Sequence, residues 1–373
     1  MTWPSLAHFR DPALGKRLLG EIRRLAERLT EPITLMEFCG SHTHAIMHFG
    51  IRQLLPPQVR LLSGPGCPVC VTAQADIDRA IALASRPEVL LASFGDMLRV
   101  PGTTHSLQQA AAEGASVQVV YSPLDAVALA EQHPDREVVF LGVGFETTAP
   151  GVAAAVQWAQ ARGVRNFSVV SLHKFTPPAM RAILEAGEVR LDGIIGPGHV
   201  SAVIGSEAWA FLPREYGLPV AVAGFESVDI LLAVRELARM VVEGRAEVVN
   251  AYPRAVRPEG NVAAQAVMQQ TFAVADAEWR GFGVLPRSGM ALREAFRPWD
   301  AWARFGVPDV PSREPPGCRC GEVLRGVLTP PECPLFGRVC TPEAPQGPCM
   351  VSAEGACAAW YGYGRAEEAP SAR

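Results

Sequence analysis

Cysteine is missing from the middle of this 373-residue chain: none occurs between Cys70 and Cys318. Neither sign of charge is in excess, with 34 Lys+Arg against 38 Asp+Glu and a net charge of −4. That balance argues against a nucleic-acid partner, which selects for a basic surplus. No uninterrupted apolar run approaches the roughly 18 residues of a membrane span, so no membrane partner is expected. Residues 1–10 lack a basic segment followed by an apolar one, so no export signal is predicted. A cytoplasmic location is the expectation, and there thiols stay reduced. No constant repeat period runs through the chain, which excludes a solenoid.

Hydrophobic residues make up 49% and charged residues 19%, the balance of a folded globular protein. Leu14, Leu18, Ile22, Leu25 and Leu29 recur at helical spacing over 14–29. Short aliphatic runs then predict strands at 33–38, 59–62, 88–94, 117–121, 138–143, 167–172, 191–195 and 218–223. Helices are predicted between them at 72–84, 105–114, 124–132, 150–162 and 177–187, with another at 228–243. Alternation of this kind means parallel sheets covered by helices. The reading is an α/β fold of two Rossmann-like parallel-sheet halves facing a cleft, followed by a loop-rich C-terminal module. The expected divisions are 1–135, 136–243 and 244–373. Within the last, 244–317 is proline-rich and reads as an irregular connector. A faint echo links Gly64-Pro-Gly-Cys67 with Gly196-Pro-Gly-His199, and Gly144-Phe-Glu-Thr147 with Gly224-Phe-Glu-Ser227. Two similar halves or chance would each produce it.

Ligands of open parallel sheets bind at the carboxyl ends of the strands, and the unusual residues stand there. Cys67-Pro-Val-Cys70 opens a helix, where the dipole and free N–H groups favour a thiolate. It suits redox or metal chemistry, and also a zinc half-site or two buried thiols. Cys39-Gly-Ser-His-Thr-His44 follows the first strand; His42 there is a candidate base, donor or ligand. Three thiolates and an imidazole would suit a transition metal such as iron. Glu146, in Gly142-Val-Gly-Phe-Glu-Thr-Thr148, is a candidate proton carrier at a strand mouth. The threonines beside it are equally suited to capping the next helix. Asp96, His173 and His199 also lie at predicted strand ends.

Cys318, Cys320, Cys333, Cys340, Cys349 and Cys357 crowd the end of the chain, with none of the close pairs usual for structural zinc. Six thiols are two more than one tetrahedral zinc or one four-cysteine cluster needs. A four-ligand iron–sulfur cluster plus a thiol pair fits the count, with zinc as the competing assignment.

These motifs strongly resemble those of the [NiFe]-hydrogenase maturation factor HypD family. The resemblance rests on Cys39-Gly-Ser-His-Thr-His, Gly64-Pro-Gly-Cys-Pro-Val-Cys, Gly144-Phe-Glu-Thr-Thr and the tail from Cys318-Arg-Cys to Glu354-Gly-Ala-Cys357. It spans about residues 30–363. What it implies is a scaffold that assembles the Fe(CN)2CO group with a HypC-type chaperone, cyanide arriving as a thiocyanate from a HypE-type donor. It further implies a [4Fe-4S] cluster on Cys318, Cys333, Cys340 and Cys357, with Cys320 and Cys349 as the neighbouring redox pair. Cys39 would hold the transient Fe(CN)2CO iron, with Cys67 and His42 as candidate co-ligands, and Cys67 and Cys70 would form a second redox pair. Two other readings compete: an iron–sulfur-dependent thiol–disulfide oxidoreductase, and a zinc-stabilised interaction protein.

Overall fold

In a computed structural model, residues 9–364 are described; the first eight residues of the export-signal reading and the last nine of the C-terminal division lie outside them. The first α-helix among the described residues is Pro12–Ala26. Asp11 caps it, its carboxylate accepting from the Ala13 N–H at 2.8 Å, and Pro12 occupies the first turn. The face carrying Leu18 and Ile22 is fully buried and packs with the helix Ser227–Val242.

Nine strands form two parallel sheets. They are β1 (Ile33–Glu37), β2 (Val59–Ser63), β3 (Val89–Ser93), β4 (Val117–Val119), β5 (Glu137–Gly144), β6 (Phe167–His173), β7 (Gly193–Pro197), β8 (Val220–Ala223) and β9 (Val248–Asn250). The first sheet has the order β2-β1-β7-β8-β9, the second β4-β3-β5-β6. Every pairing within them is parallel. Strands such as Val138–Leu141 are buried on both faces, which is why they read as continuous apolar runs.

The sheets do not divide the chain into 1–135 and 136–243. The first sheet joins β1 and β2 to β7, β8 and β9, and the second is built wholly from the chain between them. An apolar run announces a strand but not its neighbour, and only about two-thirds of sequential strands are adjacent. Nor does the echo mark repeated halves: both Gly-Pro-Gly turns follow strands of the first sheet, while the Gly-Phe-Glu turns are split between sheets.

The stretch 244–317 is more regular than expected. It supplies β9, the helix Val262–Thr271, and an antiparallel hairpin of β10 (Phe272–Trp279) and β11 (Gly283–Leu292). Pro286 misleads because it sits in a bulge, where the register shifts between Ala275 and Ala277 and Arg287 adopts φ 54°. The hairpin bridges the molecule. Gly289 pairs with Lys174 after β6, and Trp279 with Thr72 after the CxxC helix. Arg280 strengthens that join, its backbone N–H donating to Val71 O at 2.9 Å and its Nε to Thr72 O at 3.1 Å.

Trp279 is buried, stacks on Phe145 with centroids 5.9 Å apart, and donates its indole N–H to Ser288 Oγ at 2.8 Å. Trp279→Ala is expected to cost about 3–5 kcal/mol and to speed hydrogen exchange in Phe272–Leu292 first. Denaturant unfolding and amide exchange check this; an unchanged midpoint would show that the hairpin is not held through Trp279.

Candidate functional site

The first sheet reverses its winding between β1 and β7, the position at which open α/β sheets place their ligands. Four loops meet along this carboxyl edge: Cys39 after β1, Gly64–Cys67 after β2, Gly198–His199 after β7 and Gly224–Glu226 after β8. Cys39 precedes the helix Gly40–His48 and Cys67 precedes the short helix Pro68–Val71. The two loops touch through backbone. The Gly40 N–H donates to Gly66 O at 2.9 Å, and a Cβ on Gly66 would stand 2.3 Å from Cys39 N. Only glycine permits that approach.

Cys39 is 7% exposed. Burial first, then the charges of Glu354 and Glu37, push its thiol up to about 12. Its N–H donates to Glu37 Oε2 at 2.9 Å, and Thr43 donates its hydroxyl to the other Glu37 oxygen. Burial lifts the Glu37 carboxyl to about 7. The resting Cys39 is therefore a thiol, and a metal would have to displace its proton. His42 is fully buried, and desolvation lowers it to about 4, so its ring is neutral at pH 7. Nε2 lies 2.9 Å from Gly224 O and 3.2 Å from Ala223 O, so it carries the hydrogen and donates. Nδ1 keeps a buried lone pair with no partner. Phe225 is stacked between this ring and that of His199, at 4.8 and 3.8 Å.

The C-terminal module packs onto the same edge. Its helix Ala356–Tyr363 contacts the helix Gly40–His48, and Ser41 Oγ donates to Glu354 Oε1 at 2.5 Å. Cys67 and Cys70 are paired as a disulfide with Cα atoms 5.2 Å apart, and Cys320 and Cys349 with Cα atoms 6.4 Å apart. Cys70 Sγ lies 3.9 Å from the carbonyl oxygen of Pro348, the residue before Cys349. Both pairs and Cys340 and Cys357 belong to one buried cluster.

The five unpaired cysteines are Cys39, Cys318, Cys333, Cys340 and Cys357. Cys318 is pushed up to about 11 by burial and by the charges of Cys333 and Cys340. Cys357 is raised by burial and then by Cys318, Cys340 and Cys333. These four thiols therefore lie within each other's field. Among the described residues, no three His, Cys, Asp or Glu side chains are gathered tightly enough to hold a single metal ion. Four thiols within each other's field are a donor set that would fit a four-cysteine cluster or a tetrahedral zinc. The Gln346 N–H, 3.3 Å from Cys340 Sγ, already offers a hydrogen bond to one such sulfur.

The remaining candidates belong to the second sheet. Glu146 is buried, with its oxygens accepting from the Thr176 N–H at 2.9 Å and the Thr176 hydroxyl at 2.8 Å. His173 is buried beneath Gly142 and Gly144, and Asp96 is exposed beyond β3. Sequence reasoning passed over Glu37, Glu354, Phe225 and Arg280. Of these only Glu354 carried a signal, as the start of Glu354-Gly-Ala-Cys357.

Two parallel α/β sheets with nine cysteines, four of them in two disulfide pairs, define a thiol-rich α/β protein. The family whose description is "HypD: Hydrogenase formation hypA family" matches residues 13–364. The "Hydrogenase maturation factor HypD" of Azotobacter vinelandii is 50% identical over 368 residues, covering 97% of each chain. That of Rhodobacter capsulatus is 47% identical, covering 97% of this chain and 99% of its own. That of Escherichia coli K12 is 44% identical, covering 96% and 98%. The chain belongs to the HypD family, and its role is in hydrogenase maturation. Among the described residues no helix is long and apolar enough to cross a membrane.

Burial raises the Glu146 carboxyl from its ordinary 4.5 to about 7, so between those values the folded protein holds a proton that the unfolded chain has released. This contribution to stability is complete below about pH 4.5 and is lost as pH rises through about 7. In urea unfolding, the stability of wild type relative to Glu146→Gln should fall steadily across that window. A flat difference would show that Thr176 fully compensates the buried charge.

Proposed function

We propose that this chain is the scaffold on which the Fe(CN)2CO group of a [NiFe]-hydrogenase is built, working with a HypC-type chaperone and a HypE-type cyanide donor. The observation that carries the reading is the convergence of Cys39, both cysteine pairs and the four interacting tail thiols on one sheet edge. Cys39 holds the iron as a thiolate, and its proton leaves as the metal arrives. The unpartnered Nδ1 of His42 offers a neutral nitrogen donor in the same loop. Soft sulfur beside imidazole suits ferrous iron.

Cyanide delivery consumes electrons. A thiocyanate, R–S–C≡N, accepts two electrons and two protons and leaves as R–SH and HCN, the latter binding iron as cyanide after losing its proton. A dithiol closing to a disulfide supplies those two electrons and two protons, one oxidation per cyanide. In this reading Cys67 and Cys70 are that dithiol, and thiol–disulfide exchange with Cys320 and Cys349 restores them. Cys318, Cys333, Cys340 and Cys357 would hold a [4Fe-4S] cluster, which supplies single electrons when bound.

Anaerobically purified protein is expected to be brown, with about four iron and four acid-labile sulfide per chain. Colourless protein carrying zinc and no sulfide would overturn the cluster assignment. In the complex with the chaperone, Cys39→Ala should lose the retained iron and its cyanide and carbonyl infrared bands. Unaltered bands in that variant would sink the scaffold reading.

A further inference from the structure

The helix that opens at Cys39 carries two more histidines. His44 and His48 stand four residues apart and so share one face of it. Their rings are nearly parallel, 17° apart in plane with centroids 5.8 Å apart, and both meet the edge of Tyr363, at 5.3 and 5.1 Å. This spacing lets one turn of helix present two imidazoles to one metal ion. Unlike His42, His44 is half-buried and His48 exposed.

Both rings line a cavity of about 460 Å3. Its other walls include Glu354, Glu226, His199 and Phe225. Arg10 pairs with Glu226, leaving Glu354 as the wall's second carboxylate, held by the Ser41 hydroxyl. Glu354 is also the acidic group whose charge is felt most strongly at Cys39. At about 1.5 Å rise per residue, His44 is roughly 8 Å and His48 roughly 14 Å along the axis from Cys39. Nitrogen donors stand near solvent, a hard carboxylate oxygen between, and a soft thiol at the base.

We propose that His44 and His48 form a loading site for a divalent first-row transition metal, the ferrous ion that Cys39 then receives. The proposal rests on the scaffold reading above for the identity of its metal, but not for the existence of the site. Two imidazoles completed by water bind such an ion reversibly. Glu354 offers an oxygen ligand on the inward path. Transfer is ligand exchange alone: the ion keeps its charge and oxidation state, gains a Cys39 thiolate and releases one proton and its imidazoles.

The test uses cobalt(II) with the full chain, anaerobic, its cluster in place and its cysteine pairs oxidised. All samples carry Cys39→Ala, so that the thiol does not contribute. Equilibrium dialysis should give one bound cobalt per chain, with paramagnetically shifted imidazole N–H signals in the proton spectrum. Adding His44→Gln and His48→Gln should weaken binding by about tenfold or more and abolish those signals, while circular dichroism and the melting temperature stay unchanged. His44→Gln or His48→Gln alone should give an intermediate loss, which keeps the proposal testable if the double change misfolds. Absence of bound cobalt in the parent, or equal binding after histidine replacement, would overturn it. The result is independent of the infrared test on Cys39, so either reading can fail without the other.

Discussion

A Cβ on Gly66 would press to 2.3 Å from the Cys39 nitrogen, and one on Gly40 to 2.4 Å from the Glu354 Cβ. Backbone-to-backbone closeness at these two points sets how the thiol loops and the C-terminal module meet. With no side chain between them, the β1 and β2 ends are fastened by two backbone hydrogen bonds, Gly40 N–H to Gly66 O at 2.9 Å and Gly64 N–H to Glu37 O at 2.8 Å, and the tail packs beside them. The burial of Cys39 and the nearness of Pro348 to Cys70 go with that docking. Interiors packed this closely transmit small displacements, so a shift among the tail cysteines is mechanically tied to the loops of the sheet edge.

Electrostatics at the site are dominated by desolvation. Glu37, Glu146 and Cys39 are pushed toward their neutral forms, and His42 and His173 are held uncharged by the same cause. In the proposed role this favours uptake of a dication: each thiol proton given up would be replaced by a stronger bond in a medium that screens charge poorly. The same setting explains why the tail thiols raise one another: four thiolates are tolerable there only with a cationic group among them.

Much of this was legible in the residues. Continuous aliphatic runs with glycine at their ends located eight of the nine parallel strands, because buried strands must be apolar on both faces. The strand-end rule marked Cys39, Cys67, Asp96, Glu146, His173 and His199 alike; the first sheet brings together the loops of Cys39, Cys67 and His199, while the other three lie at strand ends of the second sheet. What the chain does not advertise is pairing. Nothing in Ile33–Glu37 says that its partner is Gly193–Pro197, so the divisions at 135 and 243 did not match the sheets. The β10–β11 hairpin was hidden by a different cause: its alternating, half-exposed pattern is weak, and Pro286 falls in a bulge. Glu146 had the look of a strand-mouth carboxylate, yet both its oxygens are engaged by Thr176. The resemblance of the motifs, not their spacing, distinguished Cys318 from Cys320.

The interleaving of the sheets has a consequence for synthesis on the ribosome. The strands bearing Cys39 and Cys67 emerge first, but their sheet waits for β7, β8 and β9, more than a hundred residues later. The intervening sheet has all its strands in hand by then and can close alone. Long-range parallel pairings form slowly because loop closure precedes any reward. The nascent chain therefore carries unprotected thiols through most of its translation, and the four tail thiols that raise one another are not assembled until Cys357 leaves the tunnel.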